Sequence, residues 1–343
     1  MKGSLPRLNP GEHACDSPHV VILGASASRA ACMNGDANGR VLPLMADLAS
    51  LTGISSLLRE HGVRIVSKGF ELAYSRLATD PAMSDLVADI EQCVWDYFSG
   101  IKLPEEANLY DKLLLSLRDK DVIATFNWDP LLCKAFKRNR HVAVLPRILF
   151  LHGNVDLGAC LEHRQKGFLE HSCPECGTRL RPYRLLYPVA EKDYEADPLI
   201  ANEWAELRYA LEDAYMITIV GYSAPTTDAS AKRLLSDAWA TNPTRDFGQI
   251  TIVDTKKRRD VESTWEPFFV RQHYSILRHL DESYLFRHAR RSCDHLAMAT
   301  LQQSPCRDNP LPDTVMLDEL QAFVRSLVRE EEDRRMNGTP LPC

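Results

Sequence analysis

Short apolar runs that end in glycine or polar residues recur along the chain and predict the strands of a parallel sheet. The clearest are His19–Leu23, Asp121–Thr125, Arg147–Leu151, Met216–Val220 and Ile250–Val253. Runs of this length, rich in aliphatic and β-branched residues, are typical of strands that are buried on both faces. Because helical patterns separate them, the sequence predicts an α/β fold built on a Rossmann-like parallel sheet.

The longest helical stretch lies between the first two predicted strands, at about residues 42–118. Within it, Asp80 and Pro81 are a typical N-cap and first-turn pair, and the apolar residues that follow recur on one helix face. We interpret this stretch as a helical insertion between two strands of the sheet.

The sequence predicts that the whole chain has three parts. Residues 1–17 are polar and lack the apolar core of a signal peptide, which indicates a flexible N-terminal arm. Residues 18–280 carry the predicted strands and would form the main domain. Helical patterns with charged runs after that point predict a C-terminal helical extension over residues 281–343.

Charge and hydropathy narrow the classes of protein that the chain can belong to. The net charge of -6 argues against a protein that binds nucleic acid directly, because such proteins normally carry a basic surface. No apolar run approaches the ~20 residues that a membrane-spanning helix needs. We therefore expect no membrane contact and a cytoplasmic location.

Catalytic side chains are predicted at the carboxyl ends of two strands. Asn127 and Asp129 follow the predicted strand Asp121–Thr125, and His152 follows Arg147–Leu151. Parallel strands deliver such residues to the crevice beyond their carboxyl ends. An amide, a carboxylate and an imidazole that meet there could bind a ribose and move a proton, although a histidine at a strand end can also be purely structural.

Two turns rich in small residues are candidates for binding a nucleotide. Gly24–Ser28 (GASAS) follows the first strand and Gly221–Asp228 follows Met216–Val220. Small side chains let backbone N–H groups approach a phosphate at a helix N-terminus, and serines can donate to it. Asp254 follows the last strand, where an acid commonly binds ribose hydroxyls, with a solvated loop as the alternative.

A cluster of cysteine and histidine predicts a metal site in a small module at about residues 157–182. The spacing C-x2-H-x9-C-x2-C supplies Cys160, His163, Cys173 and Cys176. Four such ligands in two close pairs suit a tetrahedral, structural Zn²⁺ ion. His171 competes with His163 for the fourth place, and a surface loop with incidental cysteines is the alternative.

The order of these motifs resembles the sirtuin superfamily, whose members consume NAD on a Rossmann-like domain with a zinc module and a helical module. The motifs are, in order, GASAS, TFNWD, LHGN, the Cys/His knuckle, VGYS and IVD. The resemblance covers roughly residues 18–256. It is similar in particular to the divergent bacterial sirtuin-like proteins that act as NAD glycohydrolases in phage defence.

The resemblance implies NAD as the substrate, a structural zinc ion and a role for each motif. The residues at the dinucleotide would be Gly24, Ala25, Ser26 and Ser28 along the pyrophosphate and Gly221, Ser223 and Asp254 along the adenosine half. Asn127 and Asp129 would hold the nicotinamide-side ribose and the attacking water, and His152 would be the general base. The resemblance also implies control by a homo-oligomeric state or by a partner, such as an ATPase or a nucleic-acid-guided sensor.

Departures from the family pattern favour hydrolysis of NAD itself. Sirtuin deacetylases carry Gln-Asn-Ile-Asp, a Pro-Asp-Phe-Arg loop and a Phe-Gly-Glu strand. Here Phe126 replaces the Gln, the loop reads NGDANGRVLPLM, and no Phe-Gly-Glu follows Arg181-Pro182. Because strand pairing supplies much of the affinity for an acyl-lysine peptide, its loss weakens the peptide side. The alternatives are a protein deacylase or ADP-ribosyltransferase, and a non-catalytic sensor of NAD or ADP-ribose.

Overall fold

The chain forms a mixed α/β structure. The computed structural model describes residues 8–9, 14–63, 69–189, 194–225 and 228–338 of the 343-residue chain. The strands in these ranges are β1 (Leu8–Asn9), β2 (Ala14–Cys15), β3 (His19–Leu23), β4 (Val122–Thr125), β5 (Arg147–Phe150), β6 (Leu157–Cys160), β7 (Gln165–Phe168), β8 (Arg181–Pro182), β9 (Met216–Val220), β10 (Gln249–Val253) and β11 (Tyr274–Leu277).

Helices fill most of the chain between the strands. They are α1 (Ala25–Ala31), α2 (Leu48–Leu51), α3 (Ile54–Glu60), α4 (Gly69–Ala78), α5 (Ser84–Ser99), α6 (Leu109–Ser116), α7 (Leu131–Asn139), α8 (Pro198–Asp213), α9 (Ala229–Thr241), α10 (Arg258–Trp265), α11 (Tyr284–Arg287), α12 (Ser292–Leu301) and α13 (Leu317–Asn337). Short 3-10 turns occur at Pro81–Met83, Glu266–Phe268 and Leu280–Glu282. Within the described ranges, none of these helices is both long enough and apolar enough to span a membrane.

The centre of the fold is a six-stranded parallel sheet whose order reverses in the middle. Its order is β11-β10-β9-β3-β4-β5, and all neighbouring strands are parallel. The chain runs from β3 outward to β5 on one side and from β9 outward to β11 on the other. In such sheets ligands bind beyond the carboxyl ends of the strands where the order reverses, here between β3 and β9. The predicted fold class is therefore confirmed.

Helices cover both faces of the sheet. Alternate residues of a strand point to opposite faces, and β3 shows this directly. Val21 and Leu23 pack into a cluster that includes the helices between β3 and β4. Val20 and Ile22 pack into the other cluster, with α8 and α9. The sheet is thus buried on both sides, which explains why its strands read as continuous apolar runs.

The helices between β3 and β4 account for the predicted helical stretch, with one difference. Asp80 caps the turn before α5, where its side chain accepts a hydrogen bond from the backbone N–H of Ala82 at 3.0 Å. Residues 42–47, by contrast, form no helix. They follow the sheet's carboxyl edge instead and contribute to the cavity described below.

A second, smaller sheet carries the cysteine-rich segment. Its order is β7-β6-β8, and both pairings are antiparallel. The segment between β7 and β8 turns tightly at Cys173, whose N–H donates to the carbonyl of Thr178 and whose carbonyl accepts from Gly177, both at 2.8 Å. This tight turn holds Cys173 and Cys176 close together.

Buried polar side chains attach the C-terminal helices to the amino ends of the strands. His19, at the start of β3, is fully buried, and its two ring nitrogens lie 2.8 Å from Ser292 Oγ and Thr218 Oγ1. Burial lowers the pKa of His19 to about 4, so the ring is neutral and can donate with one nitrogen and accept with the other.

Asp294 fixes the residues that lead into the sheet. It is 1% exposed, accepts a hydrogen bond from the backbone N–H of Cys15 at 2.7 Å and pairs with Arg118 at 2.5 Å. Residues 14–17 fall within the predicted flexible arm, but this contact and the bond from Lys120 Nζ to Ser17 O hold them in place. The pattern of residue types could not anticipate these contacts, which involve residues more than 100 positions away. Residues 1–7 and 10–13 of the predicted arm lie outside the described ranges.

Candidate active site

A cavity of about 360 Å³ opens beyond the carboxyl ends of the central strands. Its walls include the turns after β3, β4, β5 and β9. The predicted residues that line it are Gly24, Ala25, Ser26, Ser28, Asn127, Asp129, His152, Gly221 and Ser223. The structure therefore brings together every predicted catalytic residue and every predicted nucleotide-binding residue except Asp254.

The two glycine turns pack directly against each other at the base of the cavity. Gly24 N donates to Val220 O at 3.0 Å, and Ser26 N donates to Gly221 O at 3.3 Å. A Cβ atom on Gly24 would lie 2.5 Å from the Cα of Tyr222. Gly221 has a positive φ of 62°, and a Cβ atom there would lie 2.6 Å from Ala27 N. Neither position can hold a side chain unless the backbone shifts.

A chain of hydrogen bonds connects Asn127 to Asp129 through two buried hydroxyl groups. Ser28 Oγ lies 2.5 Å from Asp129 Oδ2 and 2.5 Å from Tyr110 Oη. Asn127 Nδ2 lies 3.1 Å from Tyr110 Oη and 2.9 Å from Ser28 Oγ. An ionised carboxylate can only accept, so Ser28 donates to Asp129 and must accept from Tyr110. The hydroxyl proton of Ser28 is therefore already used within the protein.

The same contacts fix the orientation of the Asn127 amide. Its Nδ2 donates to the backbone carbonyl of Gly24 at 2.9 Å. A carbonyl can only accept, so the nitrogen must face it and the amide oxygen must face the other way. Within the described residues that oxygen accepts no hydrogen bond, and Asn127 lines the cavity. It is therefore available to accept one from a water or a hydroxyl group.

Burial changes the pKa of two groups in this chain of hydrogen bonds, the carboxyl of Asp129 and the hydroxyl of Tyr110. Removal from water raises the pKa of Asp129 above its ordinary value, while the hydrogen bond from Ser28 works in the opposite direction. Burial also raises the pKa of Tyr110 well above 10, so this hydroxyl group keeps its proton and remains a donor. The carboxylate of Asp129 thus sits in a poorly solvated place, where its charge acts strongly on a neighbouring group.

His152 faces the cavity from the next strand end and is set among aromatic rings. The Phe126 ring meets it edge-on, with 4.8 Å between the ring centroids. Tyr194 lies parallel to it, and Tyr194 Oη is 3.5 Å from His152 Nε2. Phe126 itself stacks on Tyr222 at 4.0 Å. These rings limit the movement of the imidazole.

Asn154 joins the two strand-end turns that carry the catalytic candidates. It is buried, and its Nδ2 donates to the backbone carbonyl of Asp129 at 2.6 Å and to that of Asn127 at 3.3 Å. The next residue, Val155, donates its N–H to the carbonyl of Trp128 at 3.0 Å. The relative positions of Asn127 and His152 are thus set by contacts between the turns themselves.

An apolar segment, residues 42–48, covers one side of the cavity. Its lining residues are Leu42, Pro43, Leu44, Met45, Ala46 and Leu48. Arg29 on α1 holds both ends, because its Nε donates to Leu42 O at 2.7 Å and its Nη2 pairs with Asp47 at 2.5 Å. This tie explains why the segment follows the cavity and does not continue the helical pattern.

The position of Asp254 differs from that of the other predicted nucleotide-binding residues. Asp254 does not line the cavity, because its Oδ1 turns back and accepts the backbone N–H of Lys256 at 2.9 Å. Lys256 lines the cavity instead. The ribose contact of Asp254 therefore stays a prediction.

Several residues of the site are not among the predicted catalytic or binding residues. Tyr110 lies in an amphipathic helix and reads as a core residue. Trp128 and Phe98 meet edge-on in the wall of the cavity, with 5.9 Å between the ring centroids. Asp228, at the start of α9, accepts a hydrogen bond from Tyr222 at 3.3 Å. The turn residues among them could have been proposed from their place after a strand, whereas Tyr110 and Phe98 could not.

The four predicted metal ligands converge in the cysteine-rich module. Their ligand atoms lie within 4.8 Å of one another, and the members are Cys160, His163, Cys173 and Cys176. Cys160 Sγ is 3.9 Å from Cys176 Sγ and 3.5 Å from His163 Nδ1. A tetrahedral zinc ion with bonds of ~2.3 Å holds two sulfur ligands ~3.8 Å apart. The group could therefore hold a structural zinc ion. His171, the alternative fourth ligand, lies outside it and packs against Phe168.

Comparison with solved structures identifies Sir2 proteins as similar folds at low identity. A structure described under the mechanism and regulation of Sir2 enzymes is 14% identical, with a TM-score of 0.36, and the match covers 91% of this chain and 94% of that one. A Sir2 homologue in complex with NAD is 16% identical, with a TM-score of 0.39 and coverage of 84% and 91%. A variant Sir2 homologue with ADP-ribose is 15% identical, with a TM-score of 0.41 and coverage of 91% and 93%.

No family model matches the sequence, and no curated protein matches it either. The similar structures belong to the family that the sequence motifs resemble, but their identities and TM-scores mark a distant likeness.

Proposed function

We propose that this chain hydrolyses the bond between nicotinamide and ribose in NAD, which releases nicotinamide and ADP-ribose. One observation carries the proposal. The amide nitrogen of Asn127 is held by Gly24 O, its amide oxygen accepts no hydrogen bond from the described residues, and Asn127 and His152 line the same cavity. A water molecule between them would have an acceptor to orient it and a base to take its proton.

Each residue has a part in the proposed reaction. Cleavage of the glycosidic bond leaves positive charge on the ribose, and the buried carboxylate of Asp129 stabilises it. Asn127 orients a water molecule towards the anomeric carbon. The oxygen of that water forms the new bond to this carbon, and nicotinamide leaves with the electrons of the broken glycosidic bond. His152 takes the proton of that water, a step that is worth ~10²–10⁴ in rate for a general base. The small residues along the pyrophosphate and adenosine are Gly24, Ala25, Ser26, Gly221 and Ser223.

The segment after β8 favours water over an acyl-lysine peptide as the acceptor. A peptide that adds as a strand needs free backbone N–H and C=O groups. The N–H of Leu186 already donates to His152 O, and that of Val189 donates to Tyr187 O, both at 2.9 Å. Pro188, which lines the cavity, has no N–H. The N–H groups of Leu186 and Val189 are therefore not free to bind a peptide, and Pro188 has none to offer.

A metal ion bound at the Cys/His site would stabilise the fold and would take no part in the reaction. Its four ligands form a closed set in the small antiparallel sheet, which is typical of structural zinc. None of the four lines the cavity. A bound ion would join β6 to the Cys173–Cys176 turn, and the chain's own side chains would do the chemistry.

The biological role that we propose with this reaction is depletion of cellular NAD as an anti-phage effector. It rests on the motifs that resemble the bacterial sirtuin-like defence proteins. Such a protein must be restrained until it is triggered, so the proposal includes a homo-oligomeric switch or a defence-system partner. Cellular NAD measured before and after phage infection, in cells with the parent protein or His152→Ala, tests this role. Equal NAD levels in both would contradict it.

The reaction is tested by incubating the purified chain with NAD and following free nicotinamide and ADP-ribose. We expect His152→Ala and Asn127→Ala to lower nicotinamide release by about 10²-fold or more. His171→Ala, an exposed histidine outside the cavity, is the matched control and should retain the parent rate. Parent rates in both cavity variants would refute the assignment.

The same incubation separates the alternatives. An acyl-lysine peptide that yields acyl-ADP-ribose in place of free ADP-ribose would identify a deacylase. ADP-ribose attached to protein would identify a transferase. NAD or ADP-ribose that binds in calorimetry and is never turned over would identify a sensor.

A further inference from the structure

We propose that the cavity also takes NADP, and that Lys256 binds the phosphate on the 2′-oxygen of the adenosine ribose. This inference rests on the proposed function, because it concerns the far end of the same dinucleotide. It assigns a ligand contact to a residue that the sequence motifs did not single out.

The strand order places Lys256 at the end of the cavity where the adenosine ribose would lie. The turns along the carboxyl edge follow the order β10, β9, β3, β4, β5, and they carry Lys256, Gly221, Gly24, Asn127 and His152 respectively. Neighbouring strands are ~4.8 Å apart, so β10 lies about 14 Å from β4. A dinucleotide with one ribose at Asn127 and its pyrophosphate over Gly24 therefore extends towards β9 and β10.

The residue that lines the cavity after β10 is a cation, whereas NAD-specific folds of this type carry an acid at such a strand end. In Rossmann-like sites a carboxylate at a strand end binds the 2′-hydroxyl of NAD, whereas a cation accommodates the 2′-phosphate of NADP. Here the carboxylate of Asp254 is turned into its own loop and does not line the cavity. Lys256 lines it and is exposed, and no acid pairs with its ammonium group within the described part of the chain.

The residues that follow add to this positive charge. Lys256 opens a run of four cations that ends at Arg259. Arg258 pairs with Glu262 at 2.8 Å, and the other three have no acidic partner in the ranges that the structure describes. Cations near a helix N-terminus do not stabilise the helix, since the helix dipole favours anions there. A phosphate dianion beside Lys256 would add to the negative charge that Asp260 supplies in the first turn of α10.

The test measures binding and turnover separately on the full chain. Calorimetry gives the affinities for ADP-ribose and for ADP-ribose 2′-phosphate, and product assays give the rates on NAD and NADP. We expect the parent chain to bind the 2′-phosphorylated ligand at least as tightly as ADP-ribose. Lys256→Glu should shift the ratio of the two affinities against the 2′-phosphate by about 10- to 100-fold, the loss expected for one charge-assisted contact.

Lys257→Glu is the matched control, because it makes the same charge change at the next residue, which does not line the cavity. It should change the ratio by no more than about threefold, since an exposed charge at a distance is screened by salt. Lys256→Ala removes the charge without adding an acid next to Asp254 and replaces Lys256→Glu if that variant does not fold.

Two results would overturn the inference while leaving the proposed function intact. One is a parent chain that cleaves NAD but binds ADP-ribose 2′-phosphate at least about tenfold more weakly than ADP-ribose. The other is an equal shift of the affinity ratio in Lys256→Glu and Lys257→Glu. A parent chain that cleaves neither dinucleotide and binds neither ligand would refute both proposals.

Discussion

The hydroxyl oxygens of Tyr110 and Ser28 lie 2.5 Å apart, although 82 residues separate them in the chain. Ser28 belongs to α1, the helix after β3, whereas Tyr110 belongs to α6, in the helical stretch before β4. The helices that interrupt the sheet therefore contribute a buried hydroxyl group that contacts Ser28 and Asn127, two residues that line the cavity. Their role at this point goes beyond covering one face of the sheet.

Tyr110→Phe should slow nicotinamide release but leave substrate binding largely intact. The change removes one hydroxyl and leaves the ring, so Asn127 and Ser28 lose a shared partner but keep their places. We expect kcat to fall about tenfold, the effect of one hydrogen bond of about 1.4 kcal/mol, with a smaller change in KM. Tyr215→Phe is a matched control, because its hydroxyl bonds to Thr300 at 2.9 Å, away from the cavity. A parent kcat in Tyr110→Phe would show that the contact does not position Asn127.

Ser28→Ala should move the acidic limb of the activity profile to higher pH. Burial already raises the pKa of Asp129, and the hydrogen bond from Ser28 lowers it, so removing that bond raises it further. Because the proposed reaction needs ionised Asp129, activity is lost as the pH falls through this pKa, and the loss then begins at a higher pH. The measurement is kcat/KM against pH for the parent, Ser28→Ala and Asp129→Asn. An acidic limb that is identical in all three would exclude Asp129 as its source.

Cys176→Ser should remove bound zinc and loosen the small antiparallel sheet. The remaining three ligands cannot close a tetrahedral set. We expect less than one equivalent of zinc in the purified variant and a lower midpoint of thermal unfolding. His171→Ala, whose ring lies outside the ligand group, should keep its zinc. Loss of zinc in His171→Ala with retention in a His163→Ala variant would reverse the ligand assignment.

Asp294→Ala should lower the free energy of unfolding by about 3 kcal/mol, because it leaves the charge of Arg118 without its partner in a poorly solvated place. Denaturant unfolding measures this change. Asp308→Ala removes the half-exposed partner of Arg287 and should cost no more than about 1 kcal/mol. An equal loss of unfolding free energy in the two variants would mean that burial does not increase the contribution of the Asp294–Arg118 pair.

The sequence alone predicted the elements whose signal is local. Buried strands such as β3 and β9 are continuous apolar runs, and the turns after them are marked by Gly24 and Gly221. The knuckle spacing likewise identified four ligands that lie together. These features need only neighbouring residues to be recognised.

Other features depend on contacts between distant parts of the chain. The helix α10 is polar along most of its length, and the strand β11 is only half-buried, so neither has a clear periodic pattern. Residues 42–47 were predicted as part of a helical stretch because their tie to Arg29 is invisible in the sequence. The sequence likewise does not show that Lys256, and not Asp254, lines the cavity, because this depends on the geometry of the turn.

The close packing of Gly24 against Gly221 has a consequence for how this crevice could change over evolution. Each turn occupies the space that a methyl group on the other would need. An alanine at either position would separate β3 from β9 at their carboxyl ends and widen the floor on which a ligand rests. The lack of a Cβ atom at Gly24 and at Gly221 thus determines how far apart the two turns lie, and with them the width of the crevice.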